Sequence, residues 1–162
     1  MPIFAASERQ YHIECAPGDV GRYALLPGDP GRVPLIASFL ERSEMIAQHR
    51  EHTTYTGWLG DEKVTVTSTG IGGPSTAIAV EELARIGADT FVRVGTAGLM
   101  QPFIQSDDLV VVTGAVRDEG TALHYMPMEF PAVADLDVVE CLRQACQAHG
   151  VRYHVGLAHS KD

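Results

Sequence analysis

Two apolar runs in this sequence each end in a glycine turn that also carries an arginine. The first is A-L-L-P-G-D-P-G-R, residues 24–32, and the second is F-V-R-V-G-T-A-G, residues 91–98. Short apolar runs that end at glycine are typical of buried strands. Because glycine lets backbone N–H groups approach a ligand and guanidinium donates a planar fork of hydrogen bonds, the repeated pair predicts a site for phosphate or carboxylate.

Strand and helix signals alternate along the chain. Apolar alternation predicts strands over 23–26, 53–59, 63–69, 90–94, 108–115 and 153–157, and helical spacing predicts helices over 33–39, 77–86 and 135–149. In the second helix we expect Ser75 to be the N-cap, and Glu81 and Glu82 to lie on the exposed side. The alternation predicts an α/β fold around a mainly parallel or mixed sheet, with ligands at the carboxyl ends of its strands.

Composition limits the partners of the protein. The chain has 162 residues, 45% of them hydrophobic, which fits one domain with a sizeable core. Acidic residues outnumber Lys and Arg by 21 to 12, so a nucleic-acid binder is not expected. The sequence shows neither a membrane span nor a secretory signal, and we therefore expect a cytoplasmic protein. Its three cysteines lack metal-ligand spacing and are predicted to be structural and reduced: Cys15, Cys141 and Cys146.

The charged residues allow more than one interpretation when each is taken alone. Arg32 follows the first turn, where the N–H groups of a helix start and its guanidinium could face one oxyanion. Arg93 lies within a strand, and its partner is either a ligand or a structural carboxylate. Arg50 alone would be a surface arginine, and His12 alone would be incidental. The remaining histidines lack the spacing of a zinc site.

Five segments, taken in order, resemble the hexameric nucleoside phosphorylases and most closely their uridine-cleaving branch. They are L-P-G-D-P-G-R, H-R-E-H-T-T-Y, S-T-G-I-G-G-P-S-T-A-I-A-V-E-E-L, F-V-R-V-G-T-A-G and L-H-Y-M-P-M-E-F-P-A-V-A-D. The resemblance implies a three-layer α/β/α fold with a central mixed, mainly parallel sheet. It also implies reversible cleavage of a ribonucleoside by inorganic phosphate, without an organic cofactor.

The resemblance also implies roles for individual residues. Gly28, Arg32, Arg93 and Thr96 would bind phosphate, and the last three would carry the catalytic role. Arg50 would reach the same phosphate from the neighbouring subunit of a homo-oligomer, expected to be a hexamer built as a trimer of dimers.

The same resemblance assigns residues to the nucleoside and to a cation. His12 of the neighbouring subunit would contact the ribose 5′-hydroxyl, and Tyr11 would help cover the sugar. Thr96 would also touch the ribose, while Ala97 and Gly98 would line the base. A potassium ion between paired subunits would be held at three further positions, Glu51, Ile71 and Ser75.

Two departures from the family pattern leave the base and the activity open. Ala97 replaces a threonine that is frequent in the uridine-cleaving branch, and the family's base-reading and ribose-binding segments have no counterpart in these 162 residues. We therefore expect residues 1–162 to be a single phosphorylase domain that is incomplete at its C-terminus. A purine nucleoside phosphorylase, a nucleoside hydrolase and a non-catalytic nucleoside or phosphate sensor are the alternatives.

Overall fold

The structure is a computed structural model that describes residues 9–161. The chain divides after Thr96 into two compact units, each with its own β-sheet. The α/β class predicted from the alternating pattern is confirmed. The single domain over 1–162 stays a prediction.

The described residues of the first unit form five strands and two α-helices. In chain order they are β1 (Tyr23–Pro27), α1 (Val33–Ala37), β2 (Glu41–His49), β3 (His52–Leu59), β4 (Glu62–Thr67), α2 (Gly73–Arg85) and β5 (Thr90–Val94). The strand order is β2-β3-β4-β1-β5, with β1 parallel to both β4 and β5 and the hairpin strands antiparallel. The sheet is therefore mixed, as predicted.

The two faces of this sheet are covered by different helices. Ala24 and Leu26 of β1 pack in one apolar cluster with Leu83 of α2. Leu25, between them, packs in a second cluster with Val33 of α1. Successive residues of a strand point to opposite faces, so α1 and α2 lie on opposite sides of the sheet. Within the first unit the arrangement is a three-layer α/β/α fold.

Buried threonines join the antiparallel strands β3 and β4. The hydroxyls of Thr54 and Thr67 are 3.1 Å apart, and so are those of Thr56 and Thr65. All four side chains are buried, and their hydroxyls satisfy one another across the strand pair.

The second unit has a three-stranded sheet and one long helix. Strand β6 (Leu109–Asp118) pairs in parallel with β8 (Tyr153–Lys161) and antiparallel with the short β7 (Ala132–Val133). Helix α3 (Leu136–Ala148) packs Val139 and Cys146 against Val111 of β6. The side chain of Asp135 caps the helix by accepting from the N–H groups of residues 137 and 138.

A buried carboxylate ties the start of β6 to β8. Asp108 lies 3.2 Å from Nε of Arg152 and 2.8 Å from Nε2 of His154, and its side chain is only 4% exposed. A hydrogen bond from the backbone N–H of Gln105 is the main factor that lowers the pKa of Asp108, because it favours the charged form. The ionised carboxylate thus holds the loop before β6 in place.

Several local features differ from the sequence prediction. Strand β2 was not predicted, because E-R-S-E-M-I-A-Q-H is polar and mostly exposed and lacks the alternation of a half-buried strand. Ser75 is not the N-cap of α2: Gly72 is, with φ 96°, and Pro74 fills the first turn. Glycine tolerates this φ and proline needs no N–H partner in the first turn, so the helix begins at Gly73, four residues before its predicted start at residue 77.

Glu82 also differs from its predicted position on the exposed side of α2. It is only 5% exposed, whereas the neighbouring Glu81 forms a surface pair with Arg85. Glu82 lies three residues after Ala79, at the spacing of the buried positions of this helix. A carboxylate at that spacing is buried only when it has partners, which are described below.

None of the helices formed by residues 9–161 is long and apolar enough to cross a membrane.

The buried thiol of Cys15 predicts a pH dependence of stability. Burial raises the pKa of Cys15 to about 11, whereas an unfolded cysteine ionises near pH ~8.5. The unfolded state therefore loses its proton first, and the free energy of unfolding should fall as pH rises from about 9 to about 11. Urea unfolding of wild type and Cys15→Ala across this range measures the effect, because the variant lacks the contribution.

Cys141→Ala is the matched control for this experiment, since Cys141 is exposed on α3. A Cys15→Ala variant whose stability falls as steeply as that of the wild type would contradict the prediction.

Candidate functional site

Three glycine turns lie at one edge of the first sheet: the two that carry an arginine in the sequence, and a third at Gly70. Gly28 follows β1, Gly70 lies three residues after β4, and Gly95 follows β5. These strands are adjacent and parallel in the order β4-β1-β5, so their carboxyl ends meet. The predicted position of the turns at strand ends is confirmed.

Two arginines converge on Gly28. A Cβ placed on Gly28 would lie 3.1 Å from Nη2 of Arg93 and 3.8 Å from Nη2 of Arg32. The missing side chain therefore leaves a space that both guanidinium groups border. Any larger residue at this position would occupy the space where an anion could meet both groups.

Arg93 is held by carbonyl oxygens. Its Nη1 donates to the carbonyl of Leu26 at 3.0 Å and to that of Val94 at 2.9 Å. Among residues 9–161, no carboxylate forms an ion pair with Arg93 or with Arg32. Within the described part of the chain, therefore, no carboxylate is the structural partner of Arg93.

The environment of Arg93 disfavours the positive charge of the Arg93 guanidinium. Partial burial of the guanidinium, followed by repulsion from Arg32, lowers the pKa of Arg93 from its ordinary value. An arginine remains protonated under these conditions. The two like charges are therefore held close together, and a bound anion would relieve the repulsion.

The first turn contributes less to an anion site than its sequence predicts. Residues Pro30–Arg32 form one turn of 3-10 helix, in which the N–H of Gly31 donates to the Asp29 carboxylate at 2.8 Å. The N–H of Arg32 donates to the Asp29 carbonyl at 3.1 Å. The N–H groups expected at a helix start are already used because Asp29 caps this turn, so Arg32 acts through its side chain.

Tyr11, His12 and Arg50 form a second cluster. The Arg50 guanidinium lies over the Tyr11 ring, 5.8 Å from its centroid, and the Tyr11 and His12 rings meet edge to face at 5.0 Å. Arg50 lies in the two-residue turn between β2 and β3 and has φ 53°. A non-glycine residue in this conformation is strained, which is frequent at functional turns. The three residues expected to act in a neighbouring subunit thus lie together.

Glu51 and Ser75 meet beside Gly70. The Ser75 hydroxyl donates to Oε1 of Glu51 at 2.8 Å, and it also contacts the carbonyl oxygen of Thr69. Hydrogen bonds from its own backbone N–H and from Ser75 lower the pKa of Glu51. A Cβ on Gly70 would lie 2.6 Å from Cγ of Glu51, so this approach requires glycine. Carboxylate, hydroxyl and carbonyl oxygens are hard donors that fit an alkali cation.

The remaining predicted site residues are exposed, and their roles stay predictions. Thr96 ends the first unit, and Ala97 and Gly98 begin the second. Ile71 is fully exposed beside the Gly70 turn.

Glu82 is the residue of this region whose role the sequence did not indicate. Its carboxylate accepts hydrogen bonds from the backbone N–H groups of His12 and Ile13, at 3.0 and 2.9 Å. Its other oxygen lies 2.6 Å from Nδ1 of His12. The only signal in the sequence is its spacing from Ala79, Leu83 and Ile86, which places it on the apolar face of the helix.

Residues 22–162 match the family model described as the phosphorylase superfamily. The chain belongs to this superfamily.

Three relatives illustrate the match. Uridine phosphorylase of Thermococcus kodakarensis is 58% identical over 94% of this chain and 55% of its own length. Uridine phosphorylase of Treponema pallidum is 47% identical over 100% of this chain and 63% of its own. Guanosine phosphorylase of Halorubrum lacusprofundi is 44% identical over 95% and 64%. The chain thus spans between half and two thirds of the length of these relatives.

The space at Gly28 generates a prediction. In Gly28→Ala the new methyl group would press on Arg93 and on the carbonyl of Gly70, which lies 3.3 Å from the Cβ position. Because the guanidinium can move aside, we expect a stable fold but a loss of about 1.5–3 kcal/mol in phosphate affinity, as for one hydrogen bond to a charged group. Calorimetric titration with inorganic phosphate measures this loss.

Gly156→Ala is the matched control, because a Cβ there meets nothing within 4 Å. Equal phosphate affinity in the two variants would show that Gly28 does not border the anion.

Proposed function

We propose that this chain is part of a nucleoside phosphorylase that cleaves ribonucleosides reversibly with inorganic phosphate, with uridine as the preferred substrate. The observation that carries the proposal is the convergence of Arg32 and Arg93 on Gly28, where neither arginine has a carboxylate partner among residues 9–161. Membership of the phosphorylase superfamily and the two uridine phosphorylase relatives support the same reaction.

The proposed chemistry requires no nucleophilic side chain. A phosphate oxygen forms a bond to the anomeric carbon while the bond between that carbon and the base nitrogen breaks. The base leaves with the electron pair and takes up, in the net reaction, the proton that hydrogen phosphate loses, and the sugar becomes ribose 1-phosphate. Arg32 and Arg93 would hold the phosphate dianion in position, with Thr96 beside it, so that attack is effectively intramolecular.

The second cluster would complete the site of a neighbouring subunit. We propose that Arg50 contacts the phosphate there, that His12 contacts the ribose 5′-hydroxyl and that Tyr11 covers the sugar. Ala97 and Gly98 are proposed to line the base. The assembly would be a homo-oligomer, with a hexamer of three dimers as the expected form. The predicted cytoplasmic location also stays a prediction.

A potassium ion is a further part of the proposal. Glu51 and Ser75 provide oxygen ligands that fit such an ion, and Ile71 would supply a third position. The ion would neutralise the carboxylate between paired subunits. The reaction itself requires phosphate as co-substrate and no organic cofactor.

Phosphorolysis assays test the proposed reaction directly. We expect release of uracil from uridine that depends on added phosphate. Release of hypoxanthine from inosine alone would instead support a purine enzyme, for which the guanosine phosphorylase relative is an argument. Base release that does not need phosphate would support a hydrolase, and phosphate binding without cleavage of any nucleoside would support a sensor.

Arg93 provides the sharpest test of the phosphate site. Arg93→Ala should lose about 2–5 kcal/mol of phosphate affinity, as expected for truncation of a hydrogen-bonded charge pair. Arg85→Ala is the control, because Arg85 forms an exposed pair with Glu81 on α2. Titration calorimetry at constant ionic strength compares the two variants, and unaltered affinity in Arg93→Ala would overturn the site.

Subunit mixing tests whether the site is shared. Arg93→Ala should inactivate the site of the subunit that carries the substitution. Arg50→Ala should instead inactivate the site of the neighbouring subunit. When equal amounts are unfolded and reassembled together, a mixed dimer has one site with both defects and one intact site. We expect about a quarter of wild-type activity on statistical grounds. Activity no higher than that of the separate variants would contradict a shared site.

A further inference from the structure

Glu82 is buried beneath the residue proposed to contact the sugar. Its side chain is 7% exposed, and that of His12 is 32% exposed. The Glu82 carboxylate makes three short contacts with the segment that carries His12: two with backbone N–H groups, at 3.0 and 2.9 Å, and one with Nδ1 of the imidazole, at 2.6 Å. The far side of the segment is held as well, because Nδ1 of His49 lies 3.0 Å from the His12 carbonyl oxygen.

These contacts favour one of the two imidazole nitrogens as the one that carries the proton. An ionised carboxylate can only accept hydrogen bonds, so the group that faces it must be a donor. In the neutral imidazole, Nδ1 is then the protonated nitrogen and Nε2 is left with a free lone pair. A nitrogen in that state can accept a hydrogen bond and cannot donate one.

We propose that Glu82 is a positioning residue that holds His12 in the Nδ1–H tautomer and thereby makes the site specific for nucleosides with a hydrogen-bond donor at C5′. This inference rests on the proposed function, which places His12 at the sugar. A 5′-hydroxyl can donate to Nε2. A 5′-deoxy sugar has no polar atom there, and a 5′-O-methyl sugar has an oxygen that can only accept.

A purely structural role for Glu82 makes a different prediction. If the carboxylate only attached residues 10–15 to α2, its loss would weaken the fold or affect all nucleosides alike. It would not change the preference among sugars that differ only at C5′. The tautomer and the substrate preference are therefore the informative measurements.

The tautomer can be measured without any enzyme activity. Long-range ¹H–¹⁵N correlation spectra of protein labelled at histidine report which nitrogen is protonated, and the His12 signals are assigned by their loss in His12→Gln. We expect a protonated Nδ1 and an unprotonated Nε2 in the wild type. Protonation of Nε2 in place of Nδ1 would overturn the proposal, whatever the variants do.

Glu82→Gln should invert this arrangement with little change of shape. The glutamine oxygen can keep the two backbone N–H donors, and its NH₂ group then faces Nδ1 of His12. Nδ1 must now accept, so the proton moves to Nε2, and the spectrum should show this change. Glu81→Gln is the control, because it removes the same charge one residue earlier on α2, where the carboxylate pairs with Arg85.

The substrate preference is measured on the assembled enzyme as kcat/KM for three nucleosides. Wild type and Glu81→Gln should prefer uridine by about tenfold or more over both 5′-deoxyuridine and 5′-O-methyluridine. In Glu82→Gln, uridine should lose its advantage over 5′-O-methyluridine, because Nε2–H can donate to the ether oxygen. The value for 5′-deoxyuridine should change less than about threefold.

The outcomes separate the inference from the proposed function. An inverted tautomer with unchanged sugar preference would overturn the specificity role. If Glu82→Gln does not fold, the wild-type spectrum still tests the tautomer, and the wild-type preference among the three sugars still tests the specificity at C5′. If the wild type cleaves no nucleoside, the proposed function fails, and the spectra alone decide whether Glu82 sets the tautomer.

Discussion

Strand β1 forms parallel ladders with β4 on one side and with β5 on the other, and the remaining features of the site depend on this pairing. Parallel strands end at the same edge, so the turns after all three are brought together there. Gly28 then lies between the side chains of Arg32 and Arg93, although the two arginines are 61 positions apart in the sequence. An antiparallel β1 would place these turns at opposite edges.

The convergence of two guanidinium groups is unfavourable in the absence of a ligand. Partial burial and the charge of Arg32 both lower the pKa of Arg93, and its hydrogen bonds go to carbonyl oxygens. The strained backbone of Arg50, in the cluster proposed to act in a neighbouring subunit, is a second unfavourable feature. Folding is driven elsewhere, by the apolar layers that α1 and α2 form on the sheet, and these layers can support local strain where an anion would bind.

Much of the fold could be predicted because local patterns are consistent with it. The apolar runs of β1 and β5, the hairpin of β3 and β4, and the helices α2 and α3 all have clear periodicity. Strand β2 could not be predicted, because an exposed strand beside a hairpin needs no apolar alternation. Ser75 was misassigned because serine is typical of an N-cap, whereas its hydroxyl is turned towards Glu51. The cluster of Tyr11, His12 and Arg50 depends on chain positions that no local pattern relates.

Glu82 shows most clearly what tertiary structure added. A glutamate on a helix is normally solvated, and the sequence contains nothing that identifies His12 and Ile13 as the hydrogen-bond partners of Glu82. The sequence by itself determined the alternation of strands and helices, the glycines at strand ends and the arginines beside them, because these follow from short-range periodicity and backbone freedom. Only the folded chain decided which arginines meet and which carboxylate is buried against His12. Long-range packing brings these groups together, and local propensity does not specify that packing.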